Sequence, residues 1–366
     1  MKAIVITPGK EGVRLEDKPE PSISGEDEVK LRIIRVGICG TDREEVRGGR
    51  ALAPDGNADL IIGHEMLGQV IEAGAAITGV KTGDIAVLTV RRGCGHCAPC
   101  NINRPDMCQT GKYKERGIWG LDGYQAQFVV ENEKYVVPVP RELEPIAVLA
   151  EPMSVAEKAI DEVVRLQISR LAESPAVPEW LNGRRCLVAG LGPIGLLAAV
   201  ALKLRRAEVF GLDIVDQDTV RPQWLEFIGG HYIDGRKLPP EDITKKLGPM
   251  DLIFEAAGIA GLAFNLLDAL AINGGYVLTG IPGDNHPLQI SGAELLRNLV
   301  LDNQLMVGSV NASRDHFQMA VSDLRIAQLL WGDHVSKLIT HRYRFDNFGN
   351  AFEHQSDDEI KTVIDW

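Results

Sequence analysis

The chain has 366 residues, 45% of them hydrophobic and 25% charged, a composition typical of a globular protein with a sizeable core. Its formal net charge of -12 argues against nucleic acid as a partner, because such binding needs a basic face. Basic pairs such as Arg91-Arg92 are predicted to be solvated. No segment approaches about 18 consecutive apolar residues, so we expect no membrane span. We predict a cytoplasmic protein with two domains.

Residues 1–155 predict a domain rich in β-strands. Short β-branched or alternating segments are separated there by Gly, Pro and Asp, for example KAIVI, EVKLRIIRVGI and AQFVVENEKYVVPVP. From Pro145 the apolar residues recur at steps of three and four, which predicts a helix. The polar, proline-containing segment 169–185 is predicted to be a loop between the two domains.

Residues 91–108 contain four of the six cysteines, and we expect them to form a structural zinc lobe. In a reducing compartment such a cluster indicates metal ligands rather than disulfides. Four thiolates satisfy tetrahedral zinc and leave no position open for water. An iron–sulfur cluster is the alternative, but the run lacks a following Cys-Pro and a second cysteine set, which favours zinc. The four ligands would be Cys94, Cys97, Cys100 and Cys108.

Residues 156–311 predict parallel βαβ units and a doubly wound Rossmann sheet, because apolar strands alternate there with amphipathic helices. Residues 312–366 contain helical patterns and end in DEIKTVIDW, a predicted strand that returns to the first domain.

A dinucleotide-binding motif opens this second domain. GLGPIG follows a predicted strand and begins a helix, which offers a tight turn, room for a pyrophosphate and a helix N-terminus. Asp213 ends the next strand, where a carboxylate accepts ribose hydroxyls and repels a 2′-phosphate. No basic residue follows before Arg221, so NAD is favoured over NADP. The motif residues are Gly190, Gly192, Pro193, Ile194 and Gly195.

The two remaining cysteines lie in different surroundings. Cys186 falls within the first strand of the Rossmann pattern and is expected in the core. Cys39 lies in GICGTD beside Thr41 and Asp42, while His64 and Glu65 lie in GHEMLGQV. Each motif alone is compatible with a structural role. Together with the cysteine lobe and the dinucleotide motif, they favour a functional role.

Over essentially its full length the chain resembles the zinc-dependent medium-chain dehydrogenase/reductase superfamily. The resemblance is carried by GICGTD, GHEMLGQV, TGD, the four-cysteine lobe, GLGPIG and EAAG, in that order. It implies an α/β protein with a GroES-like catalytic domain from both chain ends, a Rossmann domain between them, and catalytic zinc bound by Cys39, His64 and Glu65. It also implies cofactor contacts at Gly258, Gly280, Val310 and Asn311.

Glu151 distinguishes the subfamily, because alcohol dehydrogenases of this superfamily have a second catalytic cysteine at the matching place. A zinc site of cysteine, histidine and carboxylates resembles that of polyol and sugar dehydrogenases, and it suits a polyhydroxylated substrate. TVRRGCG, QTGKYKERGIWGLDG and GSVNASRDHF resemble the archaeal-type glucose dehydrogenases. That resemblance implies sugar contacts at Thr41, Glu115, Glu151 and Asn311.

The chain departs from that group at Asp213-Ile214-Val215, where the group has a run with arginines for a 2′-phosphate, and at Thr89 and Val155 near the sugar. The first departure supports NAD, with NADP possible, and the others leave the identity of the sugar open.

We therefore expect oxidation of an aldose, D-glucose foremost, at C1 to the lactone. Zinc would act as a Lewis acid, the proton would leave through Thr41 or water to Glu65 or Asp42, and hydride would pass to NAD(P). One alternative is a polyol or secondary alcohol dehydrogenase of the sorbitol or threonine dehydrogenase type. Another is a zinc- and dinucleotide-binding protein without turnover. Because the superfamily is usually dimeric or tetrameric, we expect a homodimer or homotetramer.

Overall fold

The computed structural model of the protein describes residues 1–171, 179–283, 286–353 and 355–366. These residues divide into two compact units, Met1–Ser154 with Asn311–Trp366, and Val155–Val310. Of the predicted loop 169–185, residues 169–171 instead continue a helix, and residues 172–178 lie outside the described part. No helix formed by the described residues is long and apolar enough to span a bilayer.

The strands of both units are numbered here in chain order. They are β1 Lys2–Ile6, β2 Arg14–Asp17, β3 Glu28–Ile38, β4 Leu60–Ile61, β5 Glu65–Ala73, β6 Ile85–Leu88, β7 Arg91–Arg92, β8 Lys114–Arg116, β9 Gly120–Leu121, β10 Phe128–Asn132, β11 Val136–Val139, β12 Arg185–Ala189, β13 Glu208–Asp213, β14 His231–Asp234, β15 Met250–Glu255, β16 Leu270–Leu278, β17 Leu305–Gly308, β18 Ile339–Arg344 and β19 Lys361–Asp365.

The α-helices are numbered in the same way. They are α1 Gly40–Val46, α2 Ala98–Asn101, α3 Ala150–Leu171, α4 Pro193–Leu204, α5 Val220–Phe227, α6 Pro240–Leu247, α7 Ala260–Asn265, α8 Gly292–Leu301, α9 Arg314–Trp331 and α10 Phe348–Glu353.

The first unit is built mainly from antiparallel strands. Its largest sheet has the order β11-β6-β5-β3-β19-β18, and β10 also pairs with β3. The end of the chain joins this sheet because β19 pairs with β3, which places Ile364 opposite Val36. Both side chains are completely buried, as are Leu31 and Val70. This sheet carries the ends of β3 and β5, where the first candidate site lies.

The second unit contains one six-stranded parallel sheet with the order β14-β13-β12-β15-β16-β17. The chain starts at the central β12 and builds outward in both directions, so the predicted α/β class and doubly wound sheet are confirmed. Leu187, Ile253 and Tyr276 are completely buried in its core, as expected for strands covered on both faces. The sequence did not predict β14 and α6, because one is a short polar edge strand and the other begins at the second of two consecutive prolines.

Candidate functional site

Two neighbouring strands of the first unit bring Cys39, His64 and Glu65 together. Cys39 follows the end of β3, and Glu65 begins β5 immediately after His64. The strands are antiparallel, with Gly37 opposite Glu65, so the end of one meets the start of the other. Ligand atoms of the three residues lie within 4.8 Å of one another. Sulfur, nitrogen and oxygen donors at this spacing fit a catalytic zinc ion.

Asp42 contacts two residues of this site from the first turn of α1. Its Oδ2 accepts the backbone N–H of Cys39 at 2.7 Å, and its Oδ1 lies 3.4 Å from Nδ1 of His64. Burial alone would lower the pKa of His64, but the Asp42 carboxylate outweighs burial and raises that pKa well above its usual value. A carboxylate facing one imidazole nitrogen leaves Nε2 for a metal. The arrangement favours an orienting role for Asp42 over that of a base.

Lys361 is part of the site, although the sequence did not predict it. Its ammonium forms an ion pair with Glu65 and donates to the carbonyl of Ile38 at 2.9 Å. Burial acts to lower the pKa of Lys361, but Glu65 and then Cys39 outweigh it, so the pKa is raised. The signal in the sequence was a lysine close to Val363 and Ile364 in the strand KTVID.

Glu151 and Thr41 lie near this group but outside it. Burial raises the pKa of the Glu151 carboxyl to about 7, and repulsion from Glu65 adds to the shift. Within the described residues Glu151 is not among the clustered ligand atoms. The hydroxyl of Thr41 lies 3.9 Å from Sγ of Cys39. The ligand role of Glu151 therefore stays a prediction.

Glu115 and Asn311, both predicted to bind sugar, contact each other. Nδ2 of Asn311 donates to Oε1 of Glu115 at 2.8 Å. The turn after Glu115 packs against the residue before His64, since a Cβ on Gly117 would lie 2.3 Å from the carbonyl oxygen of Gly63. The prediction that Arg91 is solvated was wrong. It is 7% exposed and donates to Glu115.

The four clustered cysteines of the first unit form a second candidate metal centre. Their sulfur atoms lie within 4.8 Å of one another, with Cys94 and Cys100 3.9 Å apart, and all are free thiols. The Thr110 hydroxyl lowers the pKa of Cys94 to about 5, whereas burial raises that of Cys100 to about 12. Four sulfur donors this close fit a closed tetrahedral zinc site with Cys97 and Cys108 as the other ligands. Cys186 is fully buried in the second unit, as expected.

The glycine motif connects β12 to α4 in the second unit. A Cβ on Gly195 would lie 1.8 Å from the carbonyl oxygen of Gly190, so only glycine permits this close approach of helix and strand. Gly192 caps the helix, which begins with Pro193 and Ile194. The backbone N–H groups at this helix N-terminus fit a pyrophosphate.

Asp213 lies against this motif at the end of β13. Its Oδ2 accepts the N–H of Leu191 at 2.8 Å, which holds the carboxylate beside the glycine motif. The ribose contact of Asp213 stays a prediction. Arg221, which the sequence analysis placed beyond this position, has its Nη1 3.8 Å from the same Oδ2. A cation is therefore present next to the predicted NAD-selective carboxylate.

The other predicted cofactor residues of the second unit follow neighbouring strands. A Cβ on Gly280 would lie 2.3 Å from the backbone nitrogen of Gly258, so the segments after β15 and β16 touch. Val310 follows β17 and is half exposed, with 50% of its surface accessible. Ligands of open parallel sheets bind at these carboxyl ends. The side chain of Asn311 contacts Glu115 instead, so its cofactor role stays a prediction.

Two family models match the chain. One described as "Glucose dehydrogenase C-terminus" matches residues 144–366, and one described as "Alcohol dehydrogenase GroES-like domain" matches residues 25–141. The chain is similar to Glucose 1-dehydrogenase 2 of Vulcanisaeta moutnovskia, at 39% identity over 100% of this chain and 99% of that protein. It is 38% identical to Glucose 1-dehydrogenase of Thermoproteus tenax, with the same coverage.

A solved structure of Haloferax mediterranei glucose dehydrogenase in complex with NADP, Zn and gluconolactone is also similar. It matches with a TM-score of 0.89 and 32% identity, over 100% of this chain and 99% of that chain. These matches confirm the resemblance drawn from the motifs and the GroES-like fold of the catalytic domain. The chain belongs to the glucose dehydrogenase family of zinc-dependent medium-chain dehydrogenases.

Proposed function

We propose that the protein oxidises an aldose, with D-glucose the foremost candidate, at C1 to the lactone and reduces NAD(P). The observation that carries this proposal is the cluster of Cys39, His64 and Glu65 in a chain of the glucose dehydrogenase family. Carboxylates and an imidazole form a harder metal site than two thiolates, and such a site suits a substrate with many hydroxyls.

The chain's own residues prepare the site for this reaction. Zinc held by Cys39, His64 and Glu65 would supply Lewis acidity toward the C1 hydroxyl, and the dinucleotide would accept the hydride. Asp42 orients the imidazole of His64. The proton of the C1 hydroxyl would pass through the half-buried hydroxyl of Thr41, which lies 3.9 Å from Sγ of Cys39, or through water, to the carboxylate of Glu65.

Sugar recognition is assigned to Glu115 and Asn311. Both side chains are polar and held in place by hydrogen bonds, and the turn after Glu115 packs against the residue that precedes His64. Hydrogen bonds to sugar hydroxyls discriminate strongly, since a buried polar group left without its partner is costly. Besides Glu65 for the metal and Glu115 for the sugar, we propose that the carboxylate of Glu151, which is 8% exposed, contacts both the metal and the sugar.

The proposed cofactor preference is NAD, with NADP also accepted. The carboxylate of Asp213 supports NAD, because it would repel a 2′-phosphate. Arg221 supports use of NADP as well, because its guanidinium is 3.8 Å from that carboxylate. The preference therefore depends on the balance between these two side chains.

We also propose a cytoplasmic homodimer or homotetramer. β17 is an edge strand of the parallel sheet, and α8 before it exposes Leu296, Val300 and Leu301 to 62%, 73% and 70%. A strand edge that has no further neighbour among the described residues, next to an apolar helix face, supports pairing with a second copy. The cytoplasm is supported by six free thiols, four of them close together.

The test is a panel of aldoses and polyols, each with zinc and with NAD or NADP. We expect turnover of glucose, its loss in Cys39→Ser, and its retention in Cys186→Ala, in which the thiol removed is a core residue. If the protein oxidises sorbitol and does not oxidise glucose, the result would support the polyol dehydrogenase alternative. Binding of zinc and dinucleotide with no turnover of any alcohol would support the non-catalytic alternative.

A further inference from the structure

We propose that Arg91 is a positioning residue for sugar recognition, which fixes the Glu115 carboxylate in one orientation and connects it to the cysteine lobe. The proposal rests on the proposed function, because it takes Glu115 as a sugar contact. It adds a role for a residue outside the set of side chains predicted to bind substrate.

The guanidinium of Arg91 is held on three sides. Arg91 and Glu115 are directly opposite each other in the antiparallel pair β7–β8. Nε and Nη2 of Arg91 donate to Oε1 of Glu115 at 3.0 and 2.9 Å, and Nη1 donates to the carbonyl of Asp106 at 2.7 Å. The centre of the Tyr113 ring lies 4.0 Å from the guanidinium carbon. A planar guanidinium engaged this fully has little freedom to move.

The two carboxylate oxygens of Glu115 differ in their hydrogen-bond partners. Oε1 accepts from two nitrogens of Arg91 and from Nδ2 of Asn311. Among the described residues no hydrogen bond reaches Oε2, which faces the guanidinium of Arg50 at 3.7 Å. Arg50 is a surface side chain, 62% exposed. Glu115 therefore presents one defined oxygen, Oε2, to accept a hydroxyl of the substrate.

The backbone carbonyl that Arg91 contacts, that of Asp106, belongs to the cysteine lobe. Asp106 lies in the short turn Pro105–Met107, between Cys100 and Cys108. Its own carboxylate is bound by Arg104 at 2.8 Å and its side chain is fully buried, so the carbonyl that Arg91 contacts has a fixed position. The lobe thus connects to sugar binding through Asp106, Arg91 and Glu115, without contributing a group to the chemical step.

A purely structural role for Arg91 makes a different prediction. If the arginine only neutralised a buried carboxylate, its replacement would lower stability and leave discrimination among sugars unchanged. The positioning role requires that discrimination at one hydroxyl be lost. Arg91→Lys keeps the charge, but a single ammonium cannot reproduce the fork that joins Glu115 to the Asp106 carbonyl.

The experiment compares KM and kcat for glucose and its monodeoxy analogues in the wild-type protein, Arg91→Met, Arg91→Lys and Glu115→Gln. One of the deoxy analogues lacks the hydroxyl that donates a hydrogen bond to Oε2 of Glu115. In the wild type we expect this analogue to have a higher KM than glucose. In Arg91→Met we expect the KM for glucose to rise about tenfold or more, as for one lost hydrogen bond to a charged group, while the KM for that analogue and for NAD(P) stays unchanged. Arg91→Lys should lie between the wild type and Arg91→Met, and Glu115→Gln should lose the same discrimination.

The matched control is Arg205→Met, which removes another arginine paired with a buried glutamate, Glu157, in the second unit. It should lower stability and keep the discrimination. If the wild type oxidises aldoses and Arg91→Met or Arg91→Lys keeps the full discrimination, the positioning role is overturned and the proposed function stands. If the wild type oxidises no aldose, both proposals fall.

Discussion

Lys361 and Glu65 form an ion pair in which each side chain is only 1% exposed. The lysine also contacts the carbonyl of Ile38 and offsets the negative charge gathered around Cys39. Two ions removed from water are stable only when each keeps its partner. The pair therefore joins β19 to Glu65, one of the proposed metal ligands, and it leads to the first prediction.

Lys361→Met should lower the free energy of unfolding by about 3–5 kcal/mol, because it leaves the Glu65 carboxylate buried without its cation. The loss should be greater in metal-free protein than in zinc-loaded protein, since a bound dication replaces part of the missing positive charge. Urea unfolding with and without zinc measures both values. Lys81→Met, at an exposed lysine, is the control and should be neutral. Equal losses with and without zinc would contradict this account of the pair.

Cys100→Ser should remove the metal of the cysteine lobe and leave the metal at Cys39. We expect one zinc fewer per chain and lower resistance to unfolding, because a closed structural site contributes directly to folding. Elemental analysis with thermal unfolding measures both effects. Cys39→Ser should also lose one zinc, but it should lose turnover with a smaller effect on stability. A Cys100→Ser protein with its full zinc content would show that the lobe is not a metal site.

The features predicted from sequence were those carried by local spacing. Cys94 to Cys108 and Gly190 to Gly195 lie on single short segments, so residue order alone defines their chemistry. The Lys361–Glu65 pair joins residues 296 positions apart, and the Arg91–Glu115 pair depends on the register of two strands. Such contacts depend on tertiary structure, which spacing does not contain. The sign of the first pair was a lysine beside the buried apolar residues of β19.

Asp213→Ala should shift the cofactor preference toward NADP. The substitution removes the repulsion of a 2′-phosphate and releases Arg221 from the carboxylate that it faces at 3.8 Å. We expect kcat/KM to fall about tenfold with NAD, as for a lost hydrogen bond to a charged group, and to rise with NADP. Steady-state kinetics with both dinucleotides measure the shift.

Asp218→Ala, at an exposed aspartate beyond the same strand, is the control and should leave the preference unchanged. Adding Arg221→Met to Asp213→Ala should remove the gain with NADP if Arg221 binds the 2′-phosphate. A gain that survives this second substitution would mean that another residue binds the phosphate.

We expect the first unit to lose stability at acid pH, because protonation of Glu131 removes its ion pairs. Burial acts to raise the pKa of this carboxyl, but Arg116 and Arg92 outweigh it and lower the pKa from 4.5 to about 2. A lowered pKa means that the contribution is complete above about pH 4.5 and is lost as the pH falls toward 2. A pKa shift of this size corresponds to a contribution of about 3 kcal/mol to the free energy of unfolding near neutral pH.

Glu131→Gln should therefore be less stable than the wild type by about 3 kcal/mol or more near neutral pH, because Arg92 and Arg116 lose their shared anion. The difference should narrow as the pH falls, since only the wild type loses this ion pair on acidification. Urea unfolding at about pH 6, 4 and 3 measures it. Glu72→Gln, at an exposed glutamate, should follow the wild-type curve. A stability difference that stays constant over this pH range would mean that the two arginines do not lower the pKa of Glu131.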